Sequence, residues 1–312
     1  MTVGELLREK KRDLKLELVA GEGNLERKIS VPEVNRPGLA LGGYLEHFRS
    51  ERIQIIGRGE HAYCLQAAPD TLKAILVQML SGPDIPCMVL TRGLKSPALL
   101  EEACRQAGVP LLRTSWDTAT FVGELTAYME DRLAPLARVH GVLVDIYGLG
   151  VLIQGDSGIG KSECALELLK RGHILVSDDM VEIRKKRGGV LVGSCPQPLR
   201  HYMEVRGLGI IDVKLLFGIG SILNLSRIEM VVYLQLWKSR LFYDRTGLEE
   251  KSMKILGVGL PLIRIPVSPG RNLAVLIEVA ALNQRLRGQG YHAARDFNQA
   301  LIERMRKDPK PS

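Results

Sequence analysis

The sequence contains no C-x-x-C pair, no long apolar run and few aromatic residues, and each shortage removes a class of protein. Its five cysteines (Cys64, Cys87, Cys104, Cys164 and Cys195) are scattered, so neither a zinc site nor a disulfide framework is expected, and reduced thiols packed in a core are. No stretch reaches the roughly 18 uninterrupted apolar residues that a membrane helix requires. The opening MTVGELLREKKRDLKLELVAG is charged throughout and offers neither an apolar signal core nor a cleavage site, which predicts a cytoplasmic protein. Aromatics make up 5% of the 312 residues, and none interleaves with the basic cluster RKKRGG at 184–189. That cluster reads as a solvated turn, with no nucleic-acid partner expected.

What remains is a globular composition, 46% hydrophobic and 25% charged, long enough for two domains with separate cores. Charge is unevenly placed: residues 1–130 carry 16 Lys+Arg against 17 Asp+Glu, and residues 131–312 carry 27 against 18. An excess of that size steers an anionic partner, whether nucleotide, phosphorylated metabolite, acidic protein or nucleic acid, without choosing among them.

The first half reads as a small α/β domain. RIQIIG (52–57) and IPCMVLTRG (85–93) have the form of buried strands. Each leads to a segment of helical periodicity, PDTLKAILVQML and SPALLEEACRQAG, and this alternation predicts a parallel sheet. GVPLLRTSWDT (108–118) supplies a third strand, and ATFVGELTAYMEDRLAP (119–135) a long helix ending near Pro135. The domain boundary is therefore placed between 134 and 135. Nothing in the first domain carries chemistry, and its role is either regulatory or structural. His47 and His61 are isolated and read as surface or packed residues.

The second half opens with two apolar runs, 141–146 and 149–153, flanking a YGLG turn, the pattern of a strand pair. The second run enters Gly155, Asp156, Ser157, Gly158, Ile159, Gly160, Lys161 and Ser162, which fit G-x-x-x-x-G-K-[ST] at every fixed position. Such a loop wraps an anion with successive N–H groups, which requires glycines. Lys161 adds a point charge for the outer phosphates and Ser162 an oxygen for Mg²⁺. SECALELLKRG then forms an amphipathic helix whose positive end points at the same place.

Beyond the loop, HILVSDDM (173–180) runs an apolar strand, expected beside the loop's own strand, into Asp178 and Asp179. Neighbours on a strand face opposite ways, so the two carboxylates are expected to do different jobs unless the backbone turns there. A nucleotide hydrolase needs one metal-holding acid. A kinase also needs a base for the acceptor hydroxyl. Capping of a following helix is the bland alternative for either acid.

The segments HGVLVDIYGLGVLIQGDSGIGKSE, SDD, MEVRGLGIIDV (203–213) and PVSPGRNLAVLIEVAA (266–281), in that order, resemble the bifunctional HPr kinase/phosphorylase family of bacteria. The resemblance implies a small N-terminal α/β domain and a C-terminal P-loop kinase domain similar to the nucleotide-binding core of phosphoenolpyruvate carboxykinase. It implies phosphorylation of a serine of the phosphocarrier HPr with ATP or pyrophosphate, and dephosphorylation by inorganic phosphate to give pyrophosphate, in the control of sugar uptake and carbon catabolite repression. It further implies Mg²⁺, a homohexamer and control by fructose 1,6-bisphosphate. Carried over by motif, Asp179 is the base in one direction and the acid in the other, and Asp178 holds metal or phosphate. His140 tunes Asp179, Lys161 and Arg245 serve the moving phosphoryl group, and Ser162 and Glu204 hold Mg²⁺. The signature run Glu204, Val205, Arg206, Gly207, Leu208 and Gly209 allows close approach of its backbone to partner or phosphate. Pro266, Val267, Ser268, Pro269, Gly270 and Arg271 match the segment linked with dephosphorylation, where Arg271 holds incoming phosphate. Two rival readings stay open: a small-molecule kinase on the same core, and a nucleotide-switched binding module.

Overall fold

The computed structural model describes residues 1–82, 84–237 and 251–307. The chain divides into two units, Met1–Ala134 and Pro135–Ser312, each built on its own sheet.

In the first unit the elements run α1 (Val3–Lys10), β1 (Leu16–Ala20), β2 (Val34–Asn35), α2 (Gly38–Leu41), β3 (Ile53–Ile56), α3 (Arg58–Gln66), α4 (Pro69–Leu80), β4 (Met88–Leu90), α5 (Ala98–Ala107), β5 (Leu111–Thr114) and α6 (Thr118–Arg132). The five-stranded sheet has the order β1-β5-β4-β3-β2. Strands β2 to β5 are parallel, and β1 is antiparallel at one edge. Burial on both faces explains the unbroken apolar runs of β3 and β4. On one side Leu72 and Leu76 of α4 and Leu100 of α5 meet Ile56, Met88 and Leu90. On the other, Leu6 of α1 and Phe121 and Leu125 of α6 meet Ile53, Ile55 and Val89. The predicted strand and helix pairs are present, but the sheet is mixed, because β1 closes it in the opposite sense. Helix α3 was not anticipated; only Glu60 and Cys64 are buried along it, so its sequence lacks an apolar stripe.

In the second unit come β6 (Leu136–His140), β7 (Val142–Ile146), β8 (Leu149–Gly155), α7 (Lys161–Lys170), β9 (Ile174–Ser177), β10 (Met180–Lys185), β11 (Leu191–Ser194), β12 (Tyr202–Val205), β13 (Gly209–Asp212), α8 (Val213–Phe217), β14 (Leu225–Leu236), β15 (Lys251–Ile255), β16 (Val258–Val267), α9 (Leu273–Gly288) and α10 (Ala293–Lys307). The β7–β8 pair turns through Tyr147 and Gly148, with φ of 54° and 84°. Positive φ at both central residues is what a two-residue hairpin turn needs to match strand twist. Alternation then sorts the side chains: Val142, Val144 and Ile146 pack under α7 and α9, while Leu143 faces the opposite core with Val181 and Ile183 of β10.

Three features of this nine-stranded sheet position the site. Strands β8, β14 and β16 are mutually parallel, so their carboxyl ends share one edge. Strand β9 pairs with β7 and not with β8 as the sequence suggested, because the tight hairpin interposes β7. Antiparallel to β7, β9 still runs in the sense of β8, so its carboxyl end reaches the same edge. Finally, β6 lies antiparallel to β10 with His140 opposite Met180, which brings the end of β6 to the start of β10.

Candidate active site

The glycine-rich loop leaves β8 at the shared edge. Gly155, Gly158 and Gly160 have φ of 147°, 78° and 99°, a backbone that residues with side chains rarely adopt. Helix α7 starts at Lys161, so its N-terminal N–H groups and dipole face the loop. Lys161 Nζ donates to the carbonyls of Gly155 and Asp156 at 3.0 and 2.9 Å. The loop thus has the form of an anion cradle with its lysine folded against its own rim.

The two adjacent acids separate completely. Asp178 is 4% exposed, and its carboxylate accepts from Ser162 Oγ at 2.9 and 3.2 Å and from the Glu204 N–H at 3.2 Å. Burial pushes its carboxyl above the usual carboxylate range, against the opposing pull of those hydrogen bonds. Asp179 points the other way, with a side chain 74% exposed, and its Oδ1 lies 3.6 Å from Nδ1 of the equally open His140. That spacing is too long for a hydrogen bond.

A backbone turn, not strand alternation, makes this separation. The Met180 N–H donates to the Asp178 carbonyl at 2.8 Å, an i to i+2 bond. Asp179 at its centre has φ of 63°. This is the γ-turn with positive central φ, a rare and strained form, and aspartate is among the few residues that tolerate the region. Two further bonds hold it: Gly141 N–H donates to the Asp179 carbonyl at 3.0 Å, and Ser177 Oγ donates to the Met180 carbonyl. The helix-capping alternative fails for both acids, since β10 follows the turn.

The signature run forms the β12–β13 hairpin. Met203 and Val205 are buried beneath α7, so Glu204 lies on the opposite, exposed face of β12. Leu208 lies at the tip between Gly207 and Gly209, which have φ of 85° and 86°. The 266–271 segment begins with the last two residues of β16 at the shared edge and leads into α9, capped by Asn272. The Arg271 guanidinium donates to the Pro266 carbonyl at 3.2 Å and braces this loop across its own base. Arg245, singled out by the sequence, lies outside the described residues.

Sequence reasoning missed two supports. Ser177 secures the turn, and Gln154 Nε2 donates to the His140 carbonyl at 3.4 Å. A serine before paired aspartates is a legible turn signal. Gln154 carries none, because its role depends on a strand contact.

All five cysteines are free and buried. Burial pushes the Cys164 thiol, the one nearest the loop in sequence, up to about 12, which removes it from nucleophilic chemistry. Among the described residues, no group of three or more His, Cys, Asp and Glu side chains forms a metal cage, and no helix is long and apolar enough to cross a membrane.

Residues 1–129 match the family described as HPr Serine kinase N terminus, and residues 131–301 match the HPr Serine kinase C-terminal domain. An HPr kinase/phosphorylase of Geobacter sulfurreducens is 45% identical over 309 residues, covering 99% of this chain and 97% of that protein. One of Brevibacillus brevis is 47% identical over 280 residues, 90% of each chain. The solved HPr(Ser) kinase/phosphatase of Coxiella burnetii is 38% identical, covering 52% of this chain and 98% of its own, with a TM-score of 0.47. On the match of both halves and the near full-length relatives, the chain belongs to the HPr kinase/phosphorylase family.

Proposed function

We propose that this chain is an ATP-dependent protein serine kinase that also works in reverse as a phosphorylase, with the phosphocarrier HPr as its protein substrate. In the forward direction a bond forms between the seryl oxygen and the outer phosphorus of ATP, or of pyrophosphate, as the bond to the leaving ADP, or to the leaving phosphate, breaks. Asp179 takes the hydroxyl proton. In the reverse direction inorganic phosphate attacks the phosphoserine phosphorus, the seryl oxygen leaves with the proton from Asp179, and pyrophosphate is released.

The observation that carries this reading is the division of labour between Asp178 and Asp179. A base must reach a docked hydroxyl, and Asp179 is the exposed member, with His140 beside it. A metal-holding acid must face the loop, and Asp178 is already bonded to Ser162. The donor set there is oxygen only, a hydroxyl and a buried carboxylate, which suits Mg²⁺ completed by substrate phosphates and water. Ser162, Asp178 and the neighbouring Glu204 would hold Mg²⁺, which when bound neutralises charge on the phosphates. Lys161, freed from its carbonyl contacts, and Arg245 serve the transferring group, and Arg271 receives inorganic phosphate.

An acceptor that is itself a protein is favoured over a small molecule by the surface near the loop. Leu208 and Ile210 on the hairpin are 72% and 75% exposed, an apolar rim that a metabolite kinase has no use for. The resemblance extends the proposal to a cytoplasmic homohexamer controlled by fructose 1,6-bisphosphate, with the first unit regulatory or structural. The test is incubation with Mg-ATP and purified HPr, followed by mass analysis of HPr for one phosphoryl group on serine. Phosphate added to the product should release pyrophosphate. Intact ATP binding without transfer to HPr would favour a small-molecule kinase or a nucleotide-switched module.

A further inference from the structure

The second unit is also fastened away from the glycine-rich loop, where α7 gives way to β9. Helix α7 carries the chain away from the shared edge and β9 brings it back, so Ser162 in the first turn of α7 meets Asp178, just past the end of β9, at 2.9 Å. Between these two arms lie Arg171, Gly172 and His173. The His173 N–H donates to the Leu168 carbonyl at 3.1 Å and the Gly172 N–H to that of Leu169 at 2.9 Å, with Gly172 at a φ of 90°. This is the Schellman ending of a helix, and it ties His173 to the end of α7.

Glu278 of α9 closes over this turn. Its side chain is 13% exposed. One oxygen meets His173 Nε2 at 2.7 Å, and the other accepts from the Arg171 guanidinium at 3.1 Å. His173 is buried, and its ring stands edge-to-face with that of Tyr147 at 4.7 Å. Tyr147 lies in the β7–β8 turn, and its carbonyl accepts from Arg285 of α9 at 3.2 Å. The two helices also share an apolar core, to which α7 gives Ala165 and Leu168 and α9 gives Ala274 and Ile277. Apolar contact is non-directional and lets helices slide. A carboxylate with both oxygens engaged fixes their register.

At the loop end the support of α7 is softer. Gly160, its N-cap, offers no side chain to cap it, and the glycines before it leave the backbone pliable. Helix α9 in turn begins directly after Arg271 and the Asn272 cap. Glu278 thus joins the helix that starts with Lys161 and Ser162 to the helix headed by the 266–271 segment.

Resting on the kinase/phosphorylase reading, we propose that Glu278 is a positioning residue. By holding His173 and Arg171 it sets the approach of Lys161 and Ser162 to Asp178 and Asp179, and keeps both arms in register with the phosphate-receiving segment at the head of α9. Glu278 touches no substrate and moves no proton in the transfer. Phosphorylation by ATP relies on the first relation alone. Phosphorolysis relies on both, because Arg271 receives the incoming phosphate, so the clamp weighs on the balance of the two activities.

The experiment compares Glu278→Gln and Arg171→Gln with the parent in the full-length protein, and with Ile277→Val, which loosens the same helix interface without touching the clamp. It measures kcat and KM for phosphorylation of HPr by ATP and for phosphorolysis, KM for phosphate, ADP affinity and thermal melting. ATP takes no part in phosphorolysis, so the two rates are free to change separately. A misplacement of about 1 Å costs on the order of 10² in rate. A loss approaching that size is expected for Glu278→Gln in phosphorolysis, with a raised KM for phosphate, against a loss at least about fivefold smaller in phosphorylation and unchanged ADP affinity. Arg171→Gln, which leaves the His173 contact in place, should move the ratio of the two rates the same way by less. Ile277→Val should lower the melting temperature and leave that ratio alone. A ratio unchanged to within about twofold in Glu278→Gln would overturn the assignment, as would a shift favouring phosphorolysis or an equal shift in Ile277→Val. If Glu278→Gln does not fold, Arg171→Gln decides by the same ratio. Failure of the parent protein to phosphorylate HPr would sink the underlying functional reading instead, so the two failures are distinguishable.

Discussion

The carboxyl ends of the parallel strands are furnished in opposite ways in the two units. In the first unit the polar groups turn on one another. Arg36, after β2, grips Glu60 with bonds of 3.1 and 2.9 Å, and the Gly57 N–H at the end of β3 joins the same carboxylate at 3.1 Å. After β4, the Thr91 hydroxyl meets that of Thr118 at 2.7 Å. A Cβ on Gly57 would stand 3.2 Å from Arg36, Glu60 and Thr118 alike, so the cluster closes around that glycine. In the second unit the corresponding edge leaves Asp179, His140 and Arg206 open and wraps a loop suited to an anion. The edge of an α/β sheet is a frequent place for ligands. It becomes a site only where the donors and acceptors gathered there are not spent on each other.

The sharpest way to break that comparison is to neutralise the open acid. Asp179→Asn keeps the turn, since asparagine also accepts positive φ, but cannot take a proton. Loss of a positioned general base costs about 10²–10⁴ in rate, and that loss is expected in phosphorylation and phosphorolysis alike, with ADP binding unchanged. Near-normal transfer in this variant would remove Asp179 from the chemistry and leave the second unit's open edge without a purpose.

The closed edge should answer in stability and not in rate. Glu60 is buried, and its carboxyl lies below the usual range because, although desolvation raises it, the paired Arg36 and the backbone hydrogen bonds lower it by more. Arg36→Ala leaves that buried carboxylate short of its partner, at a cost of about 1–3 kcal/mol at pH 7. The sign with pH follows from linkage. A depressed carboxyl contributes stability above its unfolded-state value, 4.5 for glutamate, and loses it as pH falls through the lower folded value. The gap between parent and variant, read by chemical denaturation, should therefore be full at neutral pH and close in that acid range. Transfer kinetics at neutral pH should match the parent's; a large fall in kcat would show that the first unit's edge takes part in the chemistry.

How much of this was legible beforehand follows the distance over which each feature is encoded. The anion loop, the helix after it and the β7–β8 turn are written in consecutive residues, where glycine, lysine and apolar spacing have local meaning. Strands β3, β4 and β5 and helices α4, α5 and α6 of the first unit were legible for the same reason; α1, β1, β2, α2 and α3 were not anticipated, and the placement of the reversed edge strand β1 rests on pairing with β5 nearly a hundred residues later. That Asp178 and Asp179 would differ was legible, but not by the mechanism that operates. Strand alternation and a γ-turn are both compatible with SDD, and only the pairing of β10 with β6 decides between them. The position of β9 one strand away from β8, and the guanidinium of Arg206 against Gly158, arise from tertiary packing. The order of residues does not carry them.

The smallest expected effect probes the turn itself. Ser177→Ala removes the donor to the Met180 carbonyl while leaving the Met180 N–H on the Asp178 carbonyl and the Gly141 N–H on that of Asp179. A hydrogen bond of this kind contributes about 0.5–1.5 kcal/mol, which caps the effect at roughly tenfold in rate if all of it aims the Asp179 carboxylate. The loss should appear in kcat with KM for HPr unchanged, and Ser177→Thr, which keeps the hydroxyl, should recover most of it. Thr91→Val deletes a hydroxyl of similar geometry at the closed edge and should leave kcat alone. Equal responses to Ser177→Ala and Thr91→Val would mean that the turn draws its shape from backbone bonds alone, and that side-chain support distinguishes the two edges less than their exposed charges do.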